Sequence, residues 1–161
     1  MVSEQAIEAS LAQLADETAI ESAMIDFARE QTPYLQYLHT EGFDLLTDDE
    51  RDYLQYLALV VYASAKTDGD GTALTTISGE DIESWDERCW TWIQDSVGKP
   101  MRERLDTFFD HIDEEELLAF AEDSLVDPEP EEGEDSLFDS GASRELGIVA
   151  LGVLIGGFTE T

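Results

Sequence analysis

The stretch TDGDG, residues 67 to 71, is the closest the chain comes to metal chemistry. Asp68, Asp70 and Thr72 alternate as the first, third and fifth oxygen donors of a calcium loop do. The remainder of such a loop is missing. Counting from Asp68, Ala73 stands where the sharp turn needs Gly, and Gly79 stands where the ion needs a bidentate Glu. An ordinary loop between helices is therefore the expectation, with calcium at Asp68 and Asp70 as the lesser alternative.

Cys89 is the lone thiol. A nucleophilic cysteine needs a helix N-terminus or a basic neighbour to form thiolate, and a histidine within reach. Cys89 instead falls between Trp85 and Trp92 on a helical stripe, the position of a small core residue. His39 and His111 are too far along the chain to be assigned to it. They also do not complete the Glu-x-x-His spacing of a di-iron bundle, and the chain owns too few Cys and His for zinc. With 39 acidic residues, a carboxylate pair suited to glycoside hydrolysis arises by chance and carries no information. No phosphate-cradling Gly loop with its lysine appears, and no nucleophile elbow. The reading is of no catalytic residue and no cofactor.

Composition says more than motif. The 39 acids face only eight bases, a formal net charge of -31 over 161 residues, and just two of the bases, Lys66 and Lys99, are lysines. Self-repulsion on that scale opposes compaction unless salt screens it. Disorder does not follow, because 42% of residues are hydrophobic, with three Trp, five Tyr and seven Phe, enough for one core. The acids are dispersed along the chain. Dispersal with Arg preferred to Lys fits the surface of a protein from salt-rich cytoplasm. At ordinary salt the same surface would be a polyanion able to imitate nucleic acid towards a basic protein. Direct binding to nucleic acid is disfavoured for want of bases. The opening MVSEQAIEAS has neither the basic start nor the apolar stretch of a secretory signal, and the lone cysteine suits a reducing compartment, so the expected location is the cytoplasm.

The elements that must hold these residues are helical. Ile7, Leu11 and Leu14 form one stripe and Ile20, Met24 and Phe27 a second, with Thr18 and Glu21 as a capping box between them. Pro33 opens a short helix that Gly42 is expected to stop. Thr47 and Glu50 repeat the capping-box spacing before a long segment whose apolar residues, from Tyr53 to Tyr62, cover more than one face and mark a central helix. Ile82, Trp85, Cys89, Trp92 and Ile93 make an inward stripe, with Trp90 at the edge of the core. Leu105, Phe108, Phe109 and Ile112 make another. Asp113 and Glu116 are expected to cap the segment holding Leu117 to Leu125. YLQYL occurs at 34–38 and 53–57, but its flanks differ, which argues against duplication.

The acidic Pro- and Gly-containing run 127–142 reads as a loop. From Leu146 to Phe158 the chain is almost wholly apolar, yet as a helix that segment spans about 20 Å where a bilayer core needs about 30 Å. A buried helix is expected, with Gly152 and Gly156 spaced for close contact.

The stretches EGFDLLTDDERDYLQYLALVVYASA and RERLDTFFDHIDEEELLAFAEDSLVD resemble a loose group of small uncharacterised bacterial helical proteins. The resemblance implies a helical fold and no known activity, with the acidity here a halophile-like form.

The reading is thus an all-α single domain over 1–161, a bundle of six to eight helices centred on the Tyr53–Tyr62 helix and the terminal apolar helix. It is taken as a non-catalytic cytosolic protein, its acidity an adaptation to salt, acting through contact with a protein partner. The alternatives are polyanion mimicry and, third, calcium binding. Self-association is left open, and no membrane span is expected.

Overall fold

A computed structural model of the chain describes residues 2–68, 75–96, 99, 101–125 and 141–160. Among them are eight α-helices and no strand. In chain order these are α1 Glu4–Gln13, α2 Glu17–Glu30, α3 Thr32–Leu38, α4 Asp48–Asp68, α5 Gly79–Asp95, α6 Met101–His111, α7 Glu115–Leu125 and α8 Gly141–Glu160, with one 3-10 turn at Glu41–Phe43. The all-α bundle is as the periodicity requires.

Helix starts follow side-chain capping of the free amides. Thr47 and Glu50 form the reciprocal box, the Thr47 amide donating to Glu50 Oε1 at 2.9 Å and the Glu50 amide to Thr47 Oγ1 at 3.1 Å. Ser78 accepts from the Asp81 amide at 3.1 Å and so opens α5. Two starts differ from expectation. Asp16, not Thr18, caps α2: its extended backbone aims the carboxylate at the Ala19 amide, 2.8 Å away, which leaves Thr18 inside the first turn. Helix α7 opens at Glu115, where the Leu118 amide meets the Glu114 carbonyl at 3.0 Å, one residue past the Asp113 cap. Gly42 does not stop α3, which ends at Leu38 as Thr40 Oγ1 takes the Tyr37 carbonyl at 2.7 Å. The acidic run is also shorter than its sequence limits, since Gly141 and Ala142 belong to α8; the rest of it lies outside the described residues.

Helix α8 sits in the middle. It packs on α4, α5 and α7, and the other helices touch in a closed circuit around it, in the order α1, α4, α2, α3, α5, α6, α7 and back to α1. Every residue from Leu146 to Gly157 is buried. Helix α4 is the second core element, burying Leu54 and Leu57 to Tyr62. No helix among the described residues is long and apolar enough to cross a membrane.

The glycines of α8 set how closely its neighbours approach. A Cβ on Gly152 would lie 2.9 Å from the Phe108 ring and 3.2 Å from Cys89 Sγ, and one on Gly156 would lie 2.7 Å from the Trp85 ring. The α5 stripe therefore rests on the bare backbone of α8. At the far end of α5, Arg104 of α6 is 8% exposed. It donates to the Ile93 carbonyl at 2.9 Å, to Ser96 Oγ at 3.3 Å and to Glu145 Oε1 at 2.7 Å. One guanidinium thus ties α6 to the C-terminal end of α5, at the Ile93 carbonyl and the Ser96 hydroxyl, and to Glu145 of α8.

Gly156→Val should lower stability by about 1 to 3 kcal/mol, because a rigid indole cannot yield to the added methyls. Gly42→Ala, with open space around it, should stay within about 0.5 kcal/mol of the parent. Urea unfolding of the two variants checks the contrast.

Candidate functional site

The residues singled out for chemistry are not brought together. Asp68 is the exposed last residue of α4, Asp70 lies outside the described residues, and no group of three or more His, Cys, Asp or Glu that could hold a metal occurs among the described residues. His39 is exposed just after α3. His111 lies face to face with Trp92, ring centres 4.9 Å apart, its Nδ1 2.9 Å from the Thr107 carbonyl oxygen. Cys89 is fully buried against Gly152, and burial, reinforced by nearby Asp86, pushes its thiol well above the usual range. That environment favours the protonated, unreactive form.

Two tyrosines of α3 are fixed from opposite ends. Tyr34, wholly buried, donates to the Ala150 carbonyl of α8 at 2.7 Å, and Tyr37 donates to Asp86 Oδ1 of α5 at 2.6 Å. Burial pushes both phenols up, and for Tyr37 the Asp86 hydrogen bond adds to it. The second YLQYL behaves differently: there Leu54 and Leu57 turn inward, while Tyr53 and Tyr56 stay half-buried with ring centres 6.4 Å apart. One pentapeptide thus presents two different faces, which agrees with the absence of a repeat.

The most developed polar cluster joins residues far apart in the chain. Glu30 at the end of α2 accepts from Tyr62 Oη and from Lys66 Nζ, the latter at 3.2 and 3.4 Å to its two oxygens. Lys66 also lies over the Tyr62 ring, 5.3 Å from its centre. Burial raises the Glu30 carboxyl, but the Tyr62 bond and the charge and hydrogen bonds of Lys66 outweigh it and hold it below its ordinary value. Next to it, the buried Gln31 amide receives the Ile77 amide at 3.0 Å and donates to the Thr75 carbonyl at 3.1 Å, while Thr76 Oγ1 donates to the Glu30 carbonyl at 2.7 Å. The cluster therefore fastens the approach to α5 onto the α2–α3 junction. Tyr62 and Lys66 sit one turn apart and are visible as a pair, but Glu30 is 32 and 36 residues away and carries no local signal.

Beside this cluster an open cleft of about 450 Å³ runs between α1, α2 and α4, with Leu59, Ala63 and the Tyr62 ring as its apolar wall and Asp26, Lys66 and Thr67 as polar groups. Its size is that of small-ligand sites. Its charges are already engaged, Lys66 with Glu30 and Asp26 with Arg29 at 2.9 Å. A smaller groove of about 210 Å³ lies between α1 and α7. The Val2 amide, donating to Glu114 Oε2 at 2.8 Å, joins its two walls.

Comparison with protein-family models, with curated protein sequences and with solved structures finds no significant match to this chain.

Tyr62→Phe should cost about 1 to 3 kcal/mol at neutral pH by taking one donor from a charged acceptor. Because the folded Glu30 carboxyl is depressed, its contribution is present above the unfolded value and lost as pH falls through the folded one. The stability gap between the parent and Glu30→Gln should therefore be widest at neutral pH and close in the acid range. Urea titrations at a series of pH values check both.

Proposed function

We propose that this chain is a non-catalytic protein of a salt-rich cytoplasm that works by contact with a protein partner. The observation that carries the reading is the placement of charge: α1, α2 and α4 to α7 each bear exposed carboxylates while their other face supplies the core, and only the short α3 has none. Acids spread over six of the seven helices of the circuit favour salt adaptation over polyanion mimicry, which calls for carboxylates ranked on one face at phosphate-like spacing. Near 1 M salt the screening length is about 3 Å, so neighbouring carboxylates scarcely repel and the hydrated coat keeps the molecule dissolved.

The non-catalytic part is supported by what the internal ionisable groups do. The buried thiol is held protonated, Tyr34 and Tyr37 are spent on helix-to-helix bonds, and Lys66 and Glu30 neutralise each other. Membership of the loose group of small bacterial helical proteins belongs to the same proposal, since 48–65 of the first stretch lies in α4 and 102–125 of the second spans α6 and α7.

Thermal unfolding against KCl tests the reading. The midpoint should climb by about 10 °C or more between dilute buffer and molar salt, the equivalent of roughly 3 kcal/mol for a chain of this size. A midpoint indifferent to salt would contradict it.

A further inference from the structure

We propose that the groove between α1 and α7 is the contact surface, and that it takes a cationic amphipathic helix of another protein. Its floor is apolar: Ile7 and Leu11 from α1, Ala119 and Phe120 from α7. Leu11 and Phe120 remain half-buried there among the described residues. The lips are acidic, Glu4 and Glu8 one turn apart on α1 and Glu116 and Asp123 two turns apart on α7. All four are exposed and make no ion pair among the described residues.

Neither wall brings a base of its own. Helices α1 and α7 contain no Lys or Arg, and no base precedes Arg29 in the chain. The bases that the protein does own sit on other elements, and none of them lines the groove. Its volume, about 210 Å³, is below the roughly 300 Å³ at which sites for whole small molecules begin. It suits a few side chains projecting from a helix, apolar groups one turn apart entering the floor and Lys or Arg on both flanks meeting the lips. The protein itself offers no such occupant. The acidic run 127–139 and a second copy of charge -31 both carry the sign of the lips.

In brine the two parts of the groove divide the work. Screening confines the lips to contact range, where they reject acidic segments, and the floor supplies attraction that salt does not weaken. The inference rests on the protein-contact reading above, and the two fail separately. A salt-indifferent fold would sink that reading with the groove still able to hold a helix, whereas binding on another face would sink the groove alone.

The probe is a synthetic helical peptide with Leu at i, i+4 and i+7 and Lys on both flanks, paired with a counterpart bearing Glu for Lys. Affinity is read by fluorescence anisotropy in about 0.2 M and about 2 M KCl, and the site by amide NMR shifts. The Lys peptide should bind at both salts and shift amides of α1 and α7, and the Glu peptide should not bind. Glu8→Lys with Glu116→Lys should weaken binding about tenfold or more, while Glu83→Lys with Glu87→Lys, the same charge change on α5, should stay within about twofold. Leu11→Ser tests the floor without touching charge and should weaken binding about fivefold. Equal losses from the two charge pairs would mean that the peptide reads net charge only, and would overturn the proposal. So would shifts on another face, or sedimentation showing a dimer that the groove variants dissolve, which would make a second copy the occupant.

Discussion

Burial of α8 on every side is the constraint from which the rest follows. A helix that is apolar all round cannot share a surface with water, so it must be enclosed. Burying each Leu, Ile or Val of the kind that fills Leu146 to Ile155 is worth about 1.5 to 3 kcal/mol, which makes this helix the largest single source of cohesion. Enclosure needs several helices, each with one inward face, and all of them but α3 carry charge on the outward one. The glycine rows at Gly152 and Gly156 let α5 come in against bare backbone, and Trp85, Cys89 and Phe108 occupy the space a side chain would take.

Against this cohesion stands the coat. A formal charge of -31 works against compaction, and the few bases are too scarce to neutralise it. Several of them serve as internal ties instead. Arg104 joins α5, α6 and α8, Lys66 holds α4 to the end of α2, and Arg51 donates to the Phe43 carbonyl at 3.2 Å. A planar guanidinium reaching a carboxylate, a hydroxyl and a carbonyl at once is a use that lysine cannot match, and this gives the preference for Arg a structural sense at position 104.

Much of this was legible along the chain wherever the determinant was local. The Thr47–Glu50 box, the stripe through Trp85 and Cys89, and the apolar run of α8 each lie within a few residues, and the observed helices follow them. Helix ends are less legible, because two nearby residues can compete for one cap: Asp16 wins over Thr18 through an extended backbone that sequence does not display. What sequence could not show was pairing at long range. Glu30 with Tyr62 and Lys66, Tyr34 with Ala150, and Val2 with Glu114 join residues 32 to 116 positions apart, and only the circuit of helices around α8 brings them together. The groove between α1 and α7 is of the same kind. Each of its walls reads separately as an ordinary acidic amphipathic helix.

Native-state hydrogen exchange, followed residue by residue in dilute buffer and in molar KCl, tests the account most directly. Amides from Ile148 to Ile155 should exchange only through global unfolding, as the slowest set in the molecule, and their protection should rise with salt in step with overall stability. Exchange in α8 while α4 and α5 stay closed would contradict a fold built around an enclosed apolar helix, and protection there that ignores salt would contradict the proposed adaptation to brine.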